Sequence, residues 1–237
     1  MKPSDVENYI AAVSESRIQH LHPKIFELIG DAAGLDVLDF GCGEGLLSLP
    51  LIAGGCRSAT LIDADEQMVA EAKRRVAKLN ASATGDVQFL QGSEEHLTRE
   101  DTFDVAICSL VLMMIEDRGR LEATCRRLVR SLKPGGRLVL AVTHPCFREE
   151  KHGTFRNDLP ADFTYWKSGT GYDVKIREPG RDTEATLRDF HWTLSDLINA
   201  AGKAGGAATR AIEIGAVAEG GSFADGPAYL VLEIVRR

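Results

Sequence analysis

Residues 37–45 read Val-Leu-Asp-Phe-Gly-Cys-Gly-Glu-Gly, an apolar run that passes directly into a glycine-rich turn. Leu35, Val37, Leu38 and Phe40 supply the near-continuous hydrophobicity of a central parallel strand, which is covered on both faces and need not alternate cleanly. Gly41, Gly43 and Gly45 then remove three Cβ atoms within five residues. The backbone can therefore turn sharply, and a ligand can approach its amides closely. That arrangement suggests a nucleotide-like ligand.

The spacing separates the kinds of nucleotide site. A dinucleotide fingerprint, Gly-x-Gly-x-x-Gly, needs a third glycine where this chain has Leu46. Asp39 is also unusual at the end of a buried strand unless its charge meets something. With these residues in view, the stretch resembles motif I of the class I S-adenosylmethionine-dependent methyltransferases. In that family the acidic residue lies near the methionine part of the ligand, and the glycine turn contacts the ligand through its backbone. A nucleotide-binding oxidoreductase of Rossmann type is the first alternative, and Leu46 and Asp39 speak against it.

The downstream chain extends the resemblance in order. Ala59 to Asp63 reads as a second strand, and Asp63 lies about 20 residues beyond the glycine turn, where a carboxylate can accept hydrogen bonds from ribose hydroxyls. Asp65 reads as the N-cap of a helix whose apolar face is Met68, Val69, Ala72, Val76 and Leu79. The resemblance assigns Asp63 and Ala64 to the ribose side of the ligand and Met68 to the adenine ring; Met68 also reads as the first core residue of its helix. Val87 to Leu90 is a third strand, followed by Gly92-Ser93-Glu94-Glu95. Relatives usually carry an aspartate after this glycine to contact the adenine amino group; here Gly92 is followed by Ser93, whose hydroxyl can accept one hydrogen bond, and Glu94 or Glu95 can substitute.

Phe103 to Ser109 resembles the fourth strand of the family, whose end faces the transferred methyl group, and places Cys108 and Ser109 there. A helix over 121–132 ends at Lys133-Pro134-Gly135-Gly136, the family's lead into a fifth strand at Arg137 to Val142. Arg17, at the start of a helical pattern whose apolar positions run from Ile18 to Ile29 and which stops at Gly30, is the partner of the methionine carboxylate that the resemblance implies; a solvated helix face is the competing reading. Together with Asp39, Gly41 and Gly43, these residues are expected to hold S-adenosylmethionine and its product S-adenosylhomocysteine.

The fold implied is α/β: a Rossmann-like, seven-stranded, mostly parallel sheet with helices on both faces, in a single domain over 1–237. A helical cap is expected over 1–33, where Ser4-x-x-Glu7 forms a capping box and Val6, Tyr9, Ile10 and Val13 recur at helical spacing. An insert is expected over 144–192. Eight of the fifteen aromatic residues lie between Phe147 and Trp192, and Tyr172 to Arg177 alternates like a hairpin strand. It reads as a substrate-shaping lid over the carboxyl ends of the sheet. Thr193-x-x-Asp196 caps a further helix, and strands at Ala211 to Ile214 and Tyr229 to Val235 close the chain, as an antiparallel hairpin if the resemblance holds.

Composition bounds the function. The 237 residues are 44% hydrophobic and 27% charged, with a net charge of −7 and no long basic run. That weighs against a large phosphate-binding footprint, so a small-molecule acceptor is preferred to nucleic acid. The five cysteines form no Cys-x-x-Cys pair, and no metal site is expected. No apolar run approaches the ~20 residues of a membrane span, and Met1 to Asn8 lacks a signal-peptide pattern, so a cytoplasmic protein with no membrane partner is expected. Monomer and homodimer both remain open. His144, directly after the fifth strand, is the leading general base and His191 the second, ahead of His152, Tyr165 and Glu149. His20, His22 and His96 read as peripheral. The function expected is methyl transfer to an oxygen, nitrogen or carbon nucleophile of a small molecule. The alternatives are a transfer RNA or protein methyltransferase and a non-catalytic S-adenosylmethionine-binding protein.

Overall fold

In β1 (Asp36–Phe40) successive side chains leave the sheet on opposite sides, and both sides are apolar. Val37 enters one buried cluster, Leu38 and Phe40 the other. A strand of this kind belongs in the centre, and the computed structural model, which describes residues 17–79, 85–150, 152, 155–177, 184–215 and 226–237, places it there. The Ser4 to Val13 pattern and Tyr9 lie outside the described residues.

Seven strands form the main sheet in the order β3-β2-β1-β4-β5-β10-β9. They are β2 (Ser58–Asp63), β3 (Asp86–Gln91), β4 (Phe103–Ser109), β5 (Leu132–Thr143), β9 (Gly206–Ile214) and β10 (Tyr229–Arg236) beside β1. Strands β3 to β5 run parallel through β1, with Phe40 beside Ile62 on one side and Cys108 on the other. β10 is antiparallel to both β5 and β9, which is the final hairpin the resemblance implied. The chain steps outward from β1 to β3 and then returns to β4 on the other side of β1. Strand order therefore reverses at β1/β4, and the carboxyl ends there form the crevice in which open α/β sheets bind ligands.

Helices cover both faces. α1 (His22–Ile29), preceded by one π-helical turn at Arg17–Leu21, packs with α2 (Ser48–Ala53) and α3 (Glu66–Val76) on one cluster. α4 (Arg118–Ser131) and α5 (Leu194–Lys203) cover the other. The caps agree with the sequence. Asp65 accepts from the amides of Gln67 (2.9 Å) and Met68 (3.3 Å), and Thr193 and Asp196 form a reciprocal capping box at α5. Each such cap stabilises its helix by about 1 kcal/mol.

The 144–192 segment contains a second sheet, β6 (Phe155–Asp158), β7 (Gly171–Arg177) and β8 (Glu184–Phe190), antiparallel in the order β6-β7-β8. Sequence reading anticipated only the β7 strand. Tyr172, Val174 and Ile176 of β7 point into the same cluster as α1 to α3, so this insert is part of the core. The Lys133 to Gly136 stretch, expected as a turn, falls inside β5, whose pairing with β4 is irregular between Phe103 and Val105.

Candidate functional site

At the β1/β4 reversal the structure holds a cavity of about 450 Å³. Its floor is the turn after β1. The turn is held by the end of β2: the amides of Gly41 and Cys42 both donate to the Ile62 carbonyl (2.7 and 2.9 Å), and that of Gly43 donates to Asp63 Oδ2 at 2.8 Å. Gly41 sits at φ +74° with Val111 so close that a Cβ would stand 2.2 Å from its Cγ2. Gly45, at φ +83°, lets α3 approach: a Cβ there would meet that of Ala72 at 3.3 Å. The close helix-to-strand packing that dinucleotide sites obtain from a third glycine is thus supplied one position earlier than Leu46.

Two carboxylates face this turn. Asp63 accepts from Gly43 through Oδ2 and from the Asp65 amide through Oδ1 (2.9 Å), and burial raises its pKa. Asp39 is 2% exposed and accepts from Ser48 Oγ at 2.5 Å; burial first, then the nearby Asp63, push its pKa up to about 7. Glu44 is ion-paired with Arg75, and Glu94 with Arg120 at 3.0 Å. The other wall is apolar, from Met68, Leu110, Val111, Met114 and Ile115, and β8 contributes Leu187. Leu110 adopts φ +59°, a left-handed conformation costly for a leucine and found where local strain serves a site.

Of the residues singled out from the sequence, Arg17, Asp39, Gly41, Gly43, Asp63, Ala64, Met68, Gly92, Ser93, Glu94 and Ser109 all line this cavity. Cys108 does not. Strand parity turns its thiol into the core beneath α4, where it is fully buried beside Cys125 and its pKa is pushed far up by burial. The two histidines proposed as bases also lie off this cavity. His144 faces β9: its Nε2 donates to Glu213 (2.9 Å), its Nδ1 accepts from the Cys146 amide (3.3 Å), and it does not line the cavity. His191 is fully buried and donates through Nε2 to the Tyr165 carbonyl at 2.7 Å, likewise off the cavity. Burial lowers the pKa of both. Conversely His22, read as peripheral, lines the cavity with its pKa lowered to about 4 by burial and by Arg17. Glu44, Arg120 and Leu187 were also missed. Only Glu44, inside the glycine turn, carried a local signal.

Among the described residues no cluster of His, Cys, Asp and Glu could hold a metal ion, and no helix is long and apolar enough to cross a membrane. The donor set, one buried and one half-buried carboxylate, a glycine turn and an apolar wall around a cavity of cofactor size, fits a cationic nucleoside ligand.

Residues 37–136 match the methyltransferase domain family model. The chain is 31% identical over 130 residues to the ubiquinone biosynthesis O-methyltransferase of Rickettsia felis, covering 55% of this chain and 50% of that protein. It is 30% identical over 164 residues to the demethylmenaquinone methyltransferase of Lactococcus lactis, covering 66% and 63%. The chain spans about half the length of the first curated relatives it matches. In fold it is similar to the magnesium protoporphyrin IX methyltransferase of Synechocystis PCC 6803 crystallised with S-adenosylhomocysteine, with a TM-score of 0.66, 18% identity, and 99% and 95% of the two chains covered. The match over residues 37–136 is carried by the same strand ends that build the cavity and makes this stretch a methyltransferase domain, as the resemblance to the class I S-adenosylmethionine-dependent methyltransferases implied.

Proposed function

We propose that this chain transfers the methyl group of S-adenosylmethionine to an oxygen, nitrogen or carbon atom of a small molecule. One observation carries the reading: Asp63, at the end of β2, holds the glycine turn through Gly43 and presents its remaining carboxylate lone pairs to the cavity. An adenosine whose ribose hydroxyls donate to Asp63 would rest its base between Met68 and the Gly92 to Glu94 loop, and Asp39, Glu44 and Arg17 would surround the methionine end. The donor supplies an electrophilic methyl group on a sulfonium. The chain's own residues then align the acceptor, an effect worth roughly 7 to 11 kcal/mol in favourable cases, and exclude water through the lid and the apolar wall.

A small acceptor is supported by the net charge of −7 and by the quinone-pathway names of the two curated relatives, one an O-methyltransferase. Calorimetric titration with S-adenosylmethionine and S-adenosylhomocysteine tests the donor site. Micromolar binding is expected, weakened roughly 10- to 100-fold in Asp63→Ala, since a hydrogen bond to a charged group contributes about 1.5–3 kcal/mol. Absence of binding by either ligand overturns the proposal. Binding without transfer to any small acceptor would favour a non-catalytic role or a macromolecular substrate.

A further inference from the structure

Beneath the lid, on the side where Leu187 closes the donor cavity, lies a group of buried polar side chains that the donor site does not use. Arg148 is its hub. It is 4% exposed, its Nη1 donates to Thr143 Oγ1 at the end of β5, and its guanidinium lies 5.5 Å from the centre of the Tyr172 ring. Its carbonyl accepts from Asn157 Nδ2 of β6 at 2.8 Å, which fixes the main chain. Asp189, also 4% exposed, stands opposite Tyr172 in the β7–β8 register. Arg148 and Arg17 are the cations acting on it, and Arg17 lines the donor cavity. Asp189 is two residues from Leu187 on the same face of β8, about 7 Å further along the strand.

Three buried atoms of this group, Arg148 Nε, Asn157 Oδ1 and the Tyr172 hydroxyl, have no hydrogen-bond partner among the described residues. An unsatisfied buried donor costs about 1–3 kcal/mol, so such groups persist where something else satisfies them.

We propose that Arg148, Tyr172 and Asp189 form the acceptor subsite, and that it takes an acidic hydroxyl of phenol type, with Asp189 receiving the hydroxyl proton while Arg148 and Tyr172 hold the oxygen. The assignment rests on the donor reading above. A hydroxyl nucleophile needs one acceptor for its proton and donors for the negative charge that grows on its oxygen, and the cluster supplies both. An amine would gain positive charge on methylation, which Arg148 opposes. In the transfer a lone pair of the acceptor oxygen forms the new oxygen–carbon bond as the methyl–sulfur bond breaks, its electron pair staying on sulfur. The hydroxyl proton passes to the Asp189 carboxylate and later to water, leaving a methyl ether and S-adenosylhomocysteine. Burial raises the pKa of Asp189 to about 6, near enough to neutrality for this duty.

Nitrocatechol is a suitable probe because its absorbance distinguishes phenol from phenolate. The full chain, loaded with S-adenosylhomocysteine, is titrated with nitrocatechol across pH, and methyl transfer to the same probe is followed with labelled S-adenosylmethionine. The wild type is expected to bind and methylate the probe. Arg148→Met should raise the pH of the bound probe's phenol-to-phenolate transition by at least one unit. Tyr172→Phe should weaken probe binding severalfold, and Asp189→Asn should lower kcat at least tenfold with probe affinity within threefold. S-adenosylhomocysteine affinity should remain within twofold in all three, which shows that each variant is folded. A wild type that binds S-adenosylhomocysteine but neither binds nor methylates nitrocatechol overturns the subsite, as do folded variants that match the wild type. Loss of S-adenosylhomocysteine binding by the wild type overturns the donor reading instead.

Discussion

Asp39→Asn separates the demands of folding from those of ligand binding at the end of β1. In the native protein the carboxyl is sealed from water, accepts from Ser48, and faces Asp63, so its pKa stands at about 7 against 3.8 for a free aspartate. The native state therefore binds this proton more tightly than the unfolded chain does. Below about pH 4 both states are protonated and there is no penalty. Between about pH 4 and 7 the unfolded chain gives up this proton while the folded protein keeps it, so stability falls across that range and the loss is complete once the buried acid ionises above 7. A shift of about three units at ~1.4 kcal/mol each sets an upper bound near 4 kcal/mol. Asparagine keeps the size and an acceptor for Ser48 but never ionises. Denaturant unfolding should find Asp39→Asn more stable than wild type by about 2–4 kcal/mol at pH 8 and within about 1 kcal/mol at pH 4, the gap opening between pH 4 and 7. Affinity should move the other way. The ionised Asp39 complements a cationic ligand, so S-adenosylmethionine should bind the variant at least tenfold more weakly at pH 8. In the wild type near pH 7, binding should release a proton, seen as a heat that varies with the buffer. A stability difference that does not depend on pH, or an unchanged affinity, would refute the argument.

Gly41→Ala should cost about 1–2 kcal/mol for the left-handed backbone alone, and its Cβ must displace Val111, a wall residue of the cavity. A lowered melting temperature together with at least tenfold weaker S-adenosylhomocysteine binding is expected, and unchanged affinity in a folded variant would disprove the close packing. His144→Gln should leave single-turnover transfer to nitrocatechol within threefold of wild type, because the imidazole is turned toward Glu213 and its pairing with that largely exposed carboxylate is worth about 0–1 kcal/mol. A tenfold loss would return His144 to the mechanism.

The donor half of the site was legible because its requirements are local. A sharp turn directly after a strand demands glycines at Gly41 and Gly43, a helix start demands the Asp65 cap, and the distance from turn to Asp63 is the length of one strand–helix–strand unit. Each is written in a short window of chain. What depends on where a side chain turns was not legible. β4 is apolar on both faces, so no alternation showed that Cys108 points into the core while Ser109 reaches the cavity. His144 follows β5 as expected, but its amide joins the Ala228 carbonyl (2.8 Å), continuing the pairing of β5 with β10 and carrying the ring toward β9. β8 escaped notice because its inward-facing positions, Ala185, Leu187 and Asp189, include a small and a charged residue, and its pattern resembles a polar loop.

The 144–192 insert is tied down at several points, and this bears on how an acceptor would be selected. The Gly169 amide donates to the His191 carbonyl (2.7 Å), and the His191 amide to that of Thr170 (2.8 Å). The Tyr165 hydroxyl accepts from the Leu194 amide at the start of α5 (3.0 Å), and His191 Nε2 holds the Tyr165 carbonyl. Trp192 Nε1 then donates to the carbonyl of Ile115 (3.0 Å), itself a wall residue of the donor cavity. His191 thus joins the insert, through Tyr165, to the start of α5 and, through its neighbour Trp192, to the cavity wall. An insert anchored on rigid elements presents Arg148, Tyr172 and Asp189 in one fixed geometry, and fixed geometry is what in-line transfer rewards. Selectivity for the acceptor then follows from the shape and charge of that buried face, and substitutions among the anchors would alter donor and acceptor binding together through Ile115.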